Sequence, residues 1–282
     1  MKKYSSLLLI LVSLQCFCQI TGKVVDKETG LPISYVNIWI EKSWLGTTSD
    51  ENGVFYMKKG QIGDTLLVSH LGYQELQTQV ELTNEILLNP SEIELEEVII
   101  LPVQNNKNIN IKSYNHYKKI REFNNFEHQA CARFFEYDEE YAETPFIKQI
   151  SLAVITPLTG KQMFRVYLMK VGIDGKPSNQ LFSEYKTLEV YGDGEINVNY
   201  IDEKLIFPKE GFFVVFDILN LKENIYTNKL GHEILCPAIG MEYKVQKKNT
   251  WLNYHGKWID PIERKDKSNE DGNVAINIEL SN

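Results

Sequence analysis

The sequence has few cysteines, and they give no disulfide framework. Of four cysteines in the 282 residues, Cys16 and Cys18 lie in the apolar amino-terminal run. Cys131 and Cys236 are the two that remain, and two lone cysteines set no spacing pattern. Both have apolar or β-prone neighbours, so we expect buried free thiols that act as small hydrophobic groups. A single disulfide in an oxidising compartment is the alternative.

Basic residues are also in deficit. The chain has 30 Lys and Arg against 38 Asp and Glu, a formal net charge of −8. Loss of Lys2 and Lys3 with a cleaved leader makes it −10. Nucleic-acid phosphates require clustered basic side chains, and anionic membrane surfaces repel an acidic protein. The sequence therefore predicts neither nucleic acid nor a lipid surface as the partner.

Motifs for catalysis are missing. The five histidines have no Glu at H-x-x-E spacing, and His232-Glu233 lacks the second His of a zincin. No Ser stands in G-x-S-x-G, and there is no phosphate-binding or dinucleotide loop. The carboxylates at 138–140 and at Glu94, Glu96 and Glu97 are best interpreted as solvated charge, although glycoside hydrolysis uses a carboxylate pair. We expect no enzyme, no metal and no cofactor.

The amino terminus is typical of an export signal. Lys2 and Lys3 precede an apolar run over residues 7–14, which is too short to anchor stably across a bilayer. This predicts a signal peptide, residues 1–18, cleaved between Cys18 and Gln19. A lipoprotein acylated at Cys16 or Cys18 is the alternative, but Gln15 and Phe17 make poor lipoboxes. The mature chain is predicted to have no transmembrane segment.

Residues 20–89 alternate apolar and polar side chains in short runs that end in Gly, Pro, Asn or Asp. Such a pattern indicates a stack of half-buried antiparallel strands joined by turns. One expected turn covers residues 47–53, where an Asn-Gly pair tolerates a positive φ. Val36, Ile38 and Ile40 fall on one face of such a strand, with Trp39 on the other, because side chains alternate along a strand. The sequence predicts a small β-sandwich here.

The order of the segments GKVVD, VNIWI, GTTSDENGVF, GDTLLVSHLGY and IELEEVII resembles the carboxypeptidase-regulatory-like domain. The resemblance covers residues 19–100. It implies a seven-stranded, transthyretin-like sandwich that acts as a rigid extracytoplasmic module. Such modules are appended to metallocarboxypeptidases and precede the plug and barrel of TonB-dependent outer-membrane receptors. The sequence after Ile100 is not plug-like.

The rest of the chain is predicted to form a polar linker, residues 101–127, and a larger β domain, residues 128–282. Its short strands lack intervening amphipathic helices, which indicates a second sandwich of jelly-roll type. The segments FRVY at 164–167 and PKEGFFVVF at 208–216 resemble the carboxyl-terminal region of secreted proteins with the same first module. That resemblance implies a jelly-roll-like fold and no activity. The predicted strands are 130–137, 146–155, 162–171, 185–191, 195–200, 212–219, 242–245, 250–258 and 273–280.

Aromatic side chains are the feature with binding potential. Within one predicted strand, Trp251 falls on one face while Tyr254 and Trp258 share the other. Sugars stack on flat aromatic faces, but core packing accounts for part of the set. Trp39 and Trp44 could contact a partner or the second domain.

These features predict an exported, all-β protein of a gram-negative periplasm, outer membrane or cell surface. The expected function is non-catalytic binding or scaffolding, with the first sandwich as a spacer or docking module. The second would bind a glycan or a cell-envelope protein. One alternative is an accessory subunit of a TonB-dependent uptake system. This alternative is based only on the occurrence of such modules in TonB-dependent receptors. The other is a hydrolase with an unrecognised carboxylate site.

Overall fold

The computed structural model describes residues 19–43, 45–81, 83–91, 103–116, 121–122, 130–182, 185–243, 245, 247–254, 257–260 and 272–282. The predicted signal peptide, Trp44 and the predicted strand at 93–100 lie outside these residues. Internal contacts divide the chain into two units, Met1–Glu92 and Ile93–Asn282. Each is described by itself below.

In the first unit, the residues that the structure describes form seven short strands between positions 20 and 88, arranged in two sheets. One sheet has the order β4-β1-β7, and the other has the order β3-β2-β5-β6. Apolar residues from both sheets form one core. The strands are β1 (Ile20–Asp26), β2 (Asn37–Ile40), β3 (Gly46–Thr48), β4 (Val54–Met57), β5 (Thr65–Ser69), β6 (Leu76–Gln79) and β7 (Asn84–Leu88).

The alternation predicted around β2 is confirmed, because Val36, Ile38 and Ile40 are buried while Trp39 is half-buried. Strands β3 and β7 were not predicted. The first falls in a stretch that the sequence indicates as a turn and pairs with the preceding strand, β2, whereas the second pairs with β1 at the start of the unit. Strand β1 pairs in parallel with β7, whereas the sequence predicts antiparallel strands throughout.

The described residues of the second unit form sixteen strands, most of them in two sheets of seven. Its helical segments among the described residues are two 3-10 turns, Glu139–Glu143 and Lys222–Asn224. The strands are β8 (Asn108–Ile111), β9 (Arg121–Glu122), β10 (Ala130–Phe135), β11 (Phe146–Ile155), β12 (Gln162–Val171), β13 (Pro177–Gln180), β14 (Lys186–Val190), β15 (Gly194–Asn199), β16 (Phe212–Ile218), β17 (Ile225–Thr227), β18 (Glu233–Leu235), β19 (Ala238–Tyr243), β20 (Thr250–Tyr254), β21 (Lys257–Ile259), β22 (Gly272–Val274) and β23 (Ile276–Ser281).

The two large sheets enclose the main core. One, here called the tryptophan sheet, has the order β13-β12-β16-β10-β20-β21, with β14 also paired to β12. The other has the order β22-β19-β11-β23-β8, with β15 on β11 and β9 on β19. Inward side chains such as Phe164 and Phe216 from the first sheet pack with Ile150 and Ile278 from the second. Strands β17 and β18 pair only with each other among the described residues.

The prediction of an all-β chain with a sandwich-like architecture is confirmed, while the finer jelly-roll description stays a prediction. Two details differ from the sequence analysis. The segment 101–127, predicted as a linker, contributes β8, which pairs with β23, and β9, which pairs with β19. The predicted strand 250–258 is a hairpin of two strands, β20 and β21.

Candidate ligand-binding face

The tryptophan sheet has apolar side chains on both of its faces. Its inner face belongs to the main core, and its outer face carries a second, separate cluster. A sheet with one face in the core ordinarily shows polar residues on the other, so an apolar outer face is a feature to explain. The members of this outer cluster are Ala130, Ala132, Phe134, Tyr167, Met169, Val171, Phe213, Val215, Trp251 and Trp258.

Trp251 and Trp258 lie on the same face of the sheet, which corrects the sequence analysis. Strand β20 is antiparallel to β21, and Trp258 is the cross-strand partner of Asn253. Asn253 is two residues from Trp251 and shares its face, so both tryptophans belong to the outer cluster. The prediction grouped Trp258 with Tyr254 because it assumed one continuous strand. The structure has two separate antiparallel strands, β20 and β21, and their register changes that grouping.

Several members of the outer cluster are only partly buried, and Trp251 and Trp258 are among them. Phe213 and Val215, near the middle of the sheet, are buried, whereas Trp251 and Trp258 are half-buried. Trp251 contacts Phe213 edge to face, with ring centroids 6.1 Å apart. That packing fixes the orientation of the Trp251 ring while part of its surface remains accessible.

Two charged residues that the sequence analysis missed lie buried on this outer face. Arg165 on β12 and Asp217 on β16 are cross-strand partners. The Arg165 side chain donates to Asp217 Oδ2 from Nη2 at 2.6 Å and from Nε at 3.1 Å. Their side chains are 1% and 2% exposed. The signal in the sequence was a single charged residue at an outward position in each of two otherwise apolar strands.

Two tyrosines surround this ion pair. The Arg165 guanidinium lies 4.6 Å from the ring centroid of Tyr185, and Tyr185 contacts Tyr167 edge to face at 4.8 Å. Burial alone would lower the pKa of Arg165, but Asp217, with Tyr185 and Tyr167, raises it above its ordinary value. Burial, with Asp217, also raises the pKa of Tyr167. The Arg165 guanidinium therefore stays charged in this buried position.

The other predicted aromatic residues are distributed elsewhere. Trp39 is the cross-strand partner of Gly46, and a Cβ at Gly46 would lie 2.3 Å from the Trp39 ring. The Trp39 ring therefore packs on the backbone of the neighbouring strand. Tyr254 ends β20, but its side chain is outside the described set, as is the whole of Trp44.

Within the described residues, no group of three or more His, Cys, Asp and Glu side chains could hold a metal ion. Asp138 accepts a hydrogen bond from the Glu140 backbone amide at 3.0 Å and caps a 3-10 turn. Cys131 and Cys236 are buried and form no disulfide in the described part of the chain, as expected. Burial, with Asp217 nearby, raises the pKa of the Cys131 thiol.

Comparison with known families confirms the resemblance of the first unit. Residues 20–100 match the family described as "CarboxypepD_reg-like domain". This part of the chain is therefore a carboxypeptidase-regulatory-like domain.

The TonB-dependent receptor SusC of Bacteroides thetaiotaomicron is 32% identical over 94 residues, which are 33% of this chain and 9% of the receptor. The chain thus spans less than a tenth of that relative. The solved structure of a clostridial cysteine protease after propeptide cleavage aligns at 13% identity and a TM-score of 0.42, over 84% of this chain and 50% of the protease chain. In the described part of the chain, no helix has the length and hydropathy needed to span a membrane.

Proposed function

We propose that this chain is a non-catalytic binding component of the gram-negative cell envelope. In this proposal the carboxypeptidase-regulatory-like domain is a spacer or docking module. The second unit binds a glycan at the β21 edge of the tryptophan sheet. The observation that carries the proposal is that Trp251 and Trp258 share one partly exposed face.

The geometry suits a flat ligand with apolar hydrogens. Aromatic side chains present a large contact area at a small cost in conformational entropy, because only two torsions must be ordered. Trp251 is already oriented by Phe213, and both tryptophans lie on paired strands of a sheet. A site built on strands needs less reorganisation on binding than one built on loops. A sugar ring stacked on either indole would use this surface.

Assignment to the envelope rests on three observations. The first is the export-type amino terminus, residues 1–18. The second is the family match of residues 20–100. The third is the similarity of part of this chain to the TonB-dependent receptor SusC. The acidic net charge of −8 further disfavours nucleic acid as the ligand.

The test is binding of the purified chain to an array of bacterial and plant glycans. The Trp251→Ala, Trp258→Ala double variant should lose affinity by about thirtyfold or more, because tryptophans at the centre of an interface commonly contribute that much. Tyr56→Ala is the matched control, since Tyr56 is an exposed aromatic residue on β4 of the other unit. Circular dichroism of all variants checks that they fold. An array without saturable binding, or equal losses in the control, would refute the glycan proposal.

A second candidate is an accessory subunit of a TonB-dependent uptake system, which the similarity to SusC favours. It predicts that the tagged chain co-purifies from detergent-solubilised outer membranes with a TonB-dependent receptor at a constant ratio. Removing residues 20–100 should abolish that association while glycan binding by the second unit persists. If the deletion left co-purification unchanged, the first unit would not be the docking module.

A further inference from the structure

Two polar side chains accompany Trp251 and Trp258 on the outer face of the tryptophan sheet. Asn253 is two residues after Trp251 on β20, and its cross-strand partner on β21 is Trp258. Asp260 is two residues after Trp258, so it falls on the same face, and the antiparallel register brings it opposite Trp251. All four residues are partly exposed. They form a two-by-two array, here called the edge array, in which each indole has one polar neighbour along its strand and another across the hairpin.

The rest of the sheet holds the edge array in place. Strand β20 pairs with β21 on one side and with β10 on the other. Ala132 on β10 is the cross-strand partner of Trp251, and its small side chain lets the indole reach across β10 to Phe213 on β16. Ala130 is likewise the partner of Asn253. The groups that β20 contributes therefore stand on a strand paired on both sides, which leaves little to reorganise on binding.

The groups of the edge array match those of a sugar ring. A pyranose has C–H groups on its faces and hydroxyls around its rim, so an indole covers a face while neighbouring polar groups bond the hydroxyls. The Asn253 amide donates and accepts hydrogen bonds, and the Asp260 carboxylate accepts them. Adjacent strands are about 5 Å apart, so both side chains lie within reach of the rim of a sugar stacked on either indole.

Charge limits which glycans fit the edge array. Its charged side chain is Asp260, while Lys257 falls on the opposite face of β21. Elsewhere on the outer face, the Arg165 guanidinium is bonded to Asp217 at 2.6 Å and is buried, so it does not reach a ligand at the edge. A carboxylate or sulfate on the ligand therefore meets a like charge, which lowers affinity. The edge array suits a glycan without acidic groups.

We propose that the edge array is a subsite for a neutral glycan, in which Asn253 and Asp260 determine specificity by bonding the hydroxyls of a sugar stacked on Trp251 or Trp258. This inference rests on the glycan-binding role proposed above, and it adds the ligand class and two specificity-determining residues. Asp260 selects against uronic acid and sulfated glycans by charge repulsion. Asn253 selects for sugars with hydroxyls in the matching positions, because a ligand that lacks them leaves its amide without a partner.

The test titrates the purified chain with neutral gluco-, galacto- and manno-oligosaccharides and with the same oligosaccharides oxidised to uronic acids at the primary hydroxyl. The wild type should bind a neutral form about tenfold more tightly than its oxidised form. Asn253→Ala should lower the affinity for the neutral form about tenfold. Asp260→Asn keeps the size of the side chain and removes its charge, so it should bring the two affinities close together.

The matched controls are Asn110→Ala and Asp202→Asn, which change exposed residues on and beside the strands of the other large sheet and should leave both affinities unchanged. Circular dichroism checks that every variant folds.

Three outcomes would overturn the proposal. One is a wild type that prefers an oxidised form. Another is an affinity that Asn253→Ala leaves intact, and the third is a ratio of affinities that Asp260→Asn leaves unchanged. In each case, binding that depends on Trp251 and Trp258 would still support the proposed function. Binding to no oligosaccharide, or binding that the Trp251→Ala, Trp258→Ala variant retains, would overturn the proposed function itself.

Discussion

The hydroxyl of Tyr73 donates a hydrogen bond of 2.8 Å to Oδ2 of Asp26, which is 47 residues earlier in the chain. The other oxygen of Asp26 accepts from the backbone amides of Glu28 and Thr29, each at 2.8 Å. The carboxylate thus ties the turn after β1 to the segment between β5 and β6. These bonds, with the Thr29 amide first and the Tyr73 hydroxyl next, hold the pKa of Asp26 below its ordinary value of 3.8.

This relationship predicts a pH dependence of stability at both extremes. Because the pKa of Asp26 is lower in the folded state, its contribution is complete above its ordinary pKa and is lost as the pH falls below it. Burial, then the bond to Asp26, raises the pKa of Tyr73 from 10 to about 12. That contribution is complete below pH 10 and is lost as the pH rises toward 12.

Tyr73→Phe should therefore lower the melting temperature at neutral pH and flatten the decline of stability between pH 10 and 12. Thermal unfolding of the full chain across pH measures both effects. Tyr56→Phe is the control, because Tyr56 is an exposed tyrosine of the same unit. Identical pH profiles for the wild type and Tyr73→Phe would contradict this account.

The buried pair of Arg165 and Asp217 should show strong coupling. Arg165→Met or Asp217→Leu alone leaves one charge buried without its partner, which costs about 3–5 kcal/mol of unfolding free energy. The double variant removes both charges and should cost much less than the sum of the single changes. Urea unfolding of the four proteins provides the coupling energy. Additive single effects would show that the pair does not act as a unit.

Replacing the Asn224 amide by a carboxylate should destabilise the folded protein. In Asn224→Asp the ionised side chain cannot donate to the carbonyls of Met163 and Leu219, and we expect a loss of about 3 kcal/mol. The loss should shrink as the pH falls, because a protonated carboxyl can donate one hydrogen bond. Asn228→Asp is the matched control, since Asn228 Oδ1 acts only as an acceptor in the bonds to Leu230 and His232. Urea unfolding at pH 7 and pH 5 distinguishes the two variants. Equal stability of both would show that the hydrogen bonds donated by Asn224 do not stabilise the fold.

The thiols of Cys131 and Cys236 should be inert in the folded protein, because both are buried and the raised pKa of Cys131 removes the reactive thiolate. Iodoacetamide labelling followed by peptide mapping should find both unlabelled in the native chain. After denaturation without reductant, both should be alkylated. Rapid labelling of the native chain would contradict their burial, and persistent protection after denaturation would reveal a disulfide.

Much of the fold could be predicted because the alternation that indicates a strand is a local feature of the sequence. The bounds of β11 and β12 coincide with the predicted strands 146–155 and 162–171, where long apolar alternations are bounded by turns. The strands that were missed, such as β3, β8 and β17, are three or four residues long. Their formation depends on a partner strand elsewhere in the chain, so the local pattern carried too little signal.

The candidate binding face could also be predicted only in part from the sequence. The sequence alone determined that the chain is acidic, that Trp251 and Trp258 fall in a β segment, and that the first module resembles a known family. Only the tertiary structure decided that the two tryptophans share a face and that Arg165 meets Asp217. Period-two alternation assigns side chains to faces within one strand. It does not say where the chain reverses or which strands become neighbours, because those choices depend on pairing and packing between distant segments.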